Sequence, residues 1–187
     1  MIPEITPHGN LDLPHEGGGF DLLAEAMRLD TSVRASIGLN KMQGNEKLKE
    51  RLTREVSIGL VLGSRELGIP IPSLSTERQL EDGRPIAYSD WSEEKGGEII
   101  FIRGFLMRFV VRMYRDRPFY FVVPHEMLHI RQLMDHYTTV RADLKAKDWK
   151  RTLTERAADA FGDSVLLRYG SEIQLALQGL PPGNRAR

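Results

Sequence analysis

His125 and His129 stand four residues apart in the stretch VVPHEMLHIRQLMDHY (122–137), with Glu126 between them. Positions four apart on a helix lie almost above one another, so both imidazoles aim at one point. Glu126 lies about 100° round the helix axis from His125. From there it misses an ion held by the histidines but reaches a water beside that ion. Two neutral nitrogens, an open position and a carboxylate base are what metal-assisted hydrolysis requires. Chance places H-E-x-x-H roughly once in a hundred chains of this composition, so the pattern outweighs the reading as a solvated helix face.

Such a site needs a third protein ligand. Asp135 and His136 follow in the same helix, Asp135 six residues after His129. If the helix continues, Asp135 lies too far along it to reach the ion. The better candidate is Glu155, in TLTERAADAFGDSVLL (152–167). Glu155 and Asp159 share one helix face, while Leu153, Ala157, Ala160, Phe161 and Val165 supply apolar positions. A crossing helix would bring Glu155 to the ion. Asp159, one turn behind, would then accept a proton from the far nitrogen of His125 or His129. The competing role for Glu155 is local, because Thr152-Leu153-Thr154-Glu155 is a capping box.

These residues resemble the gluzincin metallopeptidases, whose pattern is H-E-x-x-H followed downstream by E-x-x-x-D. The segment ERAADAF (155–161) is similar to an element of small ImmA/IrrE-type peptidases, and Phe121, four residues before His125, also suits their pattern. The segment EIIFIR (98–103) suits both that family and SprT-like proteins. The resemblance covers about residues 98–167. It implies a zincin-like core with a small sheet, an extended peptide on its edge strand, and Zn2+ held by His125, His129 and Glu155. In that scheme Glu126 is the general base. Leu128 and Pro124 depart from the ImmA/IrrE-type pattern, and metzincins carry a glycine where this chain has Gln132. Tyr137, Tyr169 and Arg141 are the residues weighed as donors to a transition-state oxyanion.

The remaining composition narrows the class. The 187 residues suit one domain. With 26 basic and 26 acidic residues the net charge is zero, which speaks against a dedicated nucleic-acid binder. The arginines between Arg103 and Arg117 read as a solvated helix face. No cysteine is present, so a disulfide scaffold and a cysteine-ligated zinc finger are both excluded. The start, MIPEITPHGN, has no basic or apolar leader pattern, and the longest apolar run, 119–124, cannot span a bilayer. A cytoplasmic protein with no membrane partner is the expectation.

Periodicity predicts helices over 21–34, 45–67, 104–115, 122–137, 153–169 and 171–178. Strands are expected at 98–103 and, briefly, 86–88, with most of 75–97 as loop. Residues 1–19, rich in Pro and Gly, read as a flexible arm in which His8, His15 and Glu16 have metal-binding side chains but read as flexible surface residues. That arm is also the expected docking element for a protein partner. Residues 20–180 form the predicted single α+β domain, mostly helical, with its catalytic core at about 98–170; 181–187 read as a disordered tail. The expected function is zinc-dependent hydrolysis of a peptide or protein substrate. The competing expectation is an inactive or weakly active binding or structural protein on the same scaffold, within a phage-related or other large assembly.

Overall fold

The computed structural model describes residues 20–78, 86–112, 117–145 and 148–181; the arm with His8, His15 and Glu16, and the tail from 182, lie outside them. Asp21 accepts a hydrogen bond from Ala24 N (3.0 Å) and starts α1, Leu22–Ser36. Asn45 does the same for Lys47 N and Leu48 N at the start of α2, Glu46–Leu67. Gly68, left-handed at φ 61°, ends α2.

Three strands follow: β1 Ser73–Glu77, β2 Ala87–Ser92 and β3 Gly96–Ile102, in the order β1-β3-β2. β2 and β3 form an antiparallel hairpin, with Ala87 opposite Phe101 and Ser92 opposite Gly96. β1 lies parallel to β3, with Ser73 opposite Glu98. The sheet is larger than the sequence reading expected, because β2 extends well past 88 and β1 was read partly as loop. β1 carries one large apolar residue, Leu74. It becomes a strand by pairing with a distant segment, which its own pattern does not announce.

The chain then forms α3 (Arg103–Arg112), α4 (Phe119–Lys145) and α5 (Leu153–Ala176). The result is a mostly helical α+β fold. α4 begins before and ends after the expected 122–137, continuing across a break at His136 (φ −144°, ψ 52°). Pro124 therefore stands beyond the first turn, yet the dihedral break lies at His136 and not there. α5 absorbs two expected helices. Gly170 keeps a negative φ and does not cap, and the chain only bends at Tyr169 (φ −113°, ψ 17°). Among the described residues, no helix is long and apolar enough to cross a membrane.

Two apolar clusters hold these elements. Ile99 and Phe101 from β3 meet Leu106, Phe109, Phe119, Val123 and Met127 in the larger one. Leu22, Ala26, Ile58, Leu62, Val165 and Ile173 join α1, α2 and α5 in the other. α2 crosses α4 over Gly59 and Gly63, one turn apart. A Cβ on Gly59 would lie 2.7 Å from Val123 Cβ and 3.1 Å from the Phe119 carbonyl, and one on Gly63 would lie 2.5 Å from Met127 Sδ. Glycine is needed there for close approach. Gly59→Val is expected to lower the free energy of unfolding by about 1–3 kcal/mol in a urea melt. Gly170→Ala, whose Cβ meets nothing within 4 Å, is expected to raise it by about 0.5–1 kcal/mol.

The start of α4 is fixed by a buried ion pair. Arg51 Nε donates to Glu55 Oε1 (2.7 Å), and Glu55 Oε2 accepts from Phe119 N (2.9 Å). A carboxylate from α2 thus satisfies a donor that a helix start leaves unpaired. Arg51 also donates to the carbonyl of Pro181 (3.2 Å), so the first residue assigned to the tail is tied to α2.

Candidate metal centre

α4 presents His125 and His129 one turn apart, and α5 crosses it with Glu155 facing them. The His125 and His129 Nε2 atoms are 3.2 Å apart. Glu155 Oε2 is 3.1 Å from His129 Nε2, and its Oε1 is 3.4 Å from His125 Nε2. Ligand atoms about 2.0–2.1 Å from a tetrahedral zinc stand about 3.3 Å apart. The two nitrogens have that spacing, and each has one Glu155 oxygen at about that distance, Oε1 for His125 and Oε2 for His129. His125, His129 and Glu155 are all buried, and among the described residues no other group of His, Asp or Glu converges this way. This buried group can hold a metal ion.

The capping box is only half used as a cap. Thr152 Oγ1 accepts from Glu155 N (3.3 Å), while the Glu155 carboxylate is turned to the imidazoles. Asp135 and His136 are not part of the group: Asp135 pairs with Arg131 at 2.9 Å, and both are exposed.

Asp159 is brought to the site, with Oδ1 3.2 Å from His125 Nδ1. The contact lacks the alignment of a hydrogen bond, and His125 Nδ1 has no other partner among the described residues. Arg117 holds Asp159 from outside and lies over the Phe121 ring at 4.4 Å. Phe121 in turn packs 6.1 Å from the His125 ring. Gly162 leaves room for that ring, since a Cβ there would meet it at 2.7 Å.

Glu126 is buried beside the two histidines. Burial pushes its carboxyl above the ordinary value, against the pull of both imidazoles and of Ser89 from β2. The Ser89 hydroxyl is itself buried without an aligned partner. For Glu155, burial pushes upward, but the bonds from His125 and His129 outweigh it and hold the carboxyl at about 2. Burial presses His129 down, while Glu155, Glu126 and Gln132 together raise it above 6.5.

These shifts give opposite pH windows. The lowered Glu155 contributes stability above its ordinary 4.5 and loses it as pH falls toward about 2. The raised His129 contributes fully below 6.5 and loses it as pH rises through its folded value. The pair thus favours the metal-free fold most between 4.5 and 6.5. A bound cation must displace the His129 proton. Zinc affinity, read by chelator competition, is therefore expected to fall roughly tenfold between pH 8 and pH 6.

Sequence reasoning missed Gln132, whose Oε1 lies 2.9 Å from His129 Nδ1. Its position three residues after His129 on one helix was the available signal. The candidate oxyanion donors are engaged elsewhere. Tyr169 donates to Glu66 (2.5 Å), and Arg141 donates to Asp90 and to the Tyr137 hydroxyl (3.2 Å for the latter). No family model, curated protein or solved structure matches the chain.

Proposed function

We propose that this chain is a zinc-dependent peptidase of gluzincin type. The observation that carries the reading is a buried group of two imidazoles and one carboxylate whose donor atoms converge, with a second, non-ligating carboxylate beside it. Closed structural zinc sites use four protein ligands, whereas hydrolytic sites use three and leave one position to water. Two nitrogens and one oxygen suit zinc better than magnesium or calcium, which take oxygen ligands. Zinc at such a site lowers the pKa of water to about 7 and polarises a carbonyl.

The chain's own residues do the rest. His125, His129 and Glu155 are the ligands. Glu126 accepts the proton of the attacking water and later delivers it to the leaving amine. Its raised pKa suits both halves of that task, since a base must also be able to give the proton back. Asp159 and Arg117 support His125 from the α5 side. β2, an outer strand of the sheet, brings Ser89 to Glu126 and offers an edge for an extended peptide.

The rival, a scaffold protein that holds zinc for stability, draws on the low exposure of the site, where the four residues are 2–8 % exposed. One experiment separates the two. Protein purified without chelator should carry one zinc per chain and cleave components of a peptide mixture followed by mass spectrometry. o-Phenanthroline should stop cleavage and added zinc restore it. Protein without stoichiometric zinc ends the reading, and zinc without any cleavage favours the scaffold.

A further inference from the structure

We infer that Gln132 is a positioning residue that fixes the ring of His129 for metal binding and ties it to the helix that supplies Glu155. This rests on the zinc reading above. The two ends of the amide have different partners. Gln132 Nε2 donates to the Thr154 carbonyl (3.4 Å), and a carbonyl only accepts. The nitrogen of the amide must therefore face α5, and its oxygen must face His129.

That oxygen is an acceptor 2.9 Å from His129 Nδ1, so Nδ1 carries the hydrogen. The Nε2 lone pair is then left for the point where His125 Nε2 and Glu155 Oε2 converge, 3.2 and 3.1 Å away. One side chain thus sets the tautomer and the angle of a ligand on α4. It does so while anchored to the residue directly before the ligand on α5.

The anchor is itself held. Thr154 Oγ1 donates to Asp143 Oδ2 (2.6 Å), and Asp143 lies on the part of α4 beyond the break at His136. The far end of α4 therefore returns to grip the start of α5, and Gln132 closes the link beside the ligands. His125 has no equivalent, because its Nδ1 lacks an aligned acceptor. Of the two rings, that of His129 is the one whose Nδ1 has an aligned acceptor among the described residues.

The test compares Gln132→Leu, which removes the acceptor, with Gln132→Glu, which keeps an oxygen facing Nδ1. Zinc dissociation constants come from competition with a chromogenic chelator, and the melting temperatures of the metal-free proteins are measured alongside. Gln132→Leu is expected to bind zinc about 10–100-fold more weakly, and Gln132→Glu, which keeps the acceptor for Nδ1 but gives up the donor to the Thr154 carbonyl, to be clearly less weakened than the leucine variant. Both variants lose the bond to Thr154, so any fall in the metal-free melting temperature should be alike in the two, whereas zinc affinity should separate them. Gln132→Ala replaces the leucine variant should that one fail to fold. Wild-type affinity in Gln132→Leu, or equal weakness in Gln132→Glu, overturns this role alone. An unaltered chain that binds no zinc overturns the metal site with it.

Discussion

Glu126→Gln is expected to keep one zinc per chain and to lower peptide hydrolysis by about 10²–10⁴-fold. Gln has nearly the same shape as Glu but cannot take a proton from water. The proposed ligand set does not include Glu126, so zinc content and affinity should stay within a factor of two or so of the unaltered chain. Loss of activity at constant zinc content is the signature of a missing base. Full activity at full zinc content would remove Glu126 from the mechanism.

The same substitution carries a second, opposite expectation. Burial raises the Glu126 carboxyl above 4.5 in the metal-free fold. A raised folded value means that its contribution is present below 4.5 and is lost as pH rises through the folded pKa. Above 4.5 the metal-free chain therefore gives up stability to the burial of this group, partly offset by the two imidazoles. Gln bears no charge, so metal-free Glu126→Gln should melt at a higher temperature than the parent at pH 7.5. The advantage should shrink toward pH 4. A group that lowers the stability of its own fold is what the proposed role as base predicts, because activity and stability make different demands on it.

The centre was legible in the sequence to the extent that it rests on local geometry. His125 and His129 share a helix, and their four-residue spacing alone places their rings together. Glu155 was legible because the helix it opens has a cap and an apolar side, although only the crossing of α4 by α5 turns its carboxylate from the cap to the two imidazoles. What local pattern could not show is non-local. β1 is a strand because β3 lies beside it. The close crossing of α2 and α4 depends on Gly59 and Gly63 meeting Val123 and Met127, and each glycine alone reads only as a weak helix position. Gln132 looked like a missing turn glycine, and its value appears only once Thr154 supplies the acceptor that orients its amide.

Glu155→Ala is expected to weaken zinc binding roughly a thousandfold. Apparent zinc binding energies of about 10–16 kcal/mol, shared among the protein ligands, assign about 3–5 kcal/mol to each. Asp135→Ala is the control, since Asp135 was the rival third ligand on sequence grounds. It stands about 9 Å along α4 from His129 by the rise of a helix, and its partner is Arg131. Removing an exposed ion pair of that kind costs at most about 1 kcal/mol and should leave zinc affinity unchanged. Glu155→Ala also releases His125 and His129 from their shared carboxylate, so the metal-free chain should lose the acid-side stability that Glu155 supplies above 4.5. Zinc affinity by competition and metal-free melting at pH 5.5 should thus fall together in Glu155→Ala and move in neither respect in Asp135→Ala. The reverse pattern would place the third ligand on α4, and the crossing of α5 would then have no part in holding the metal.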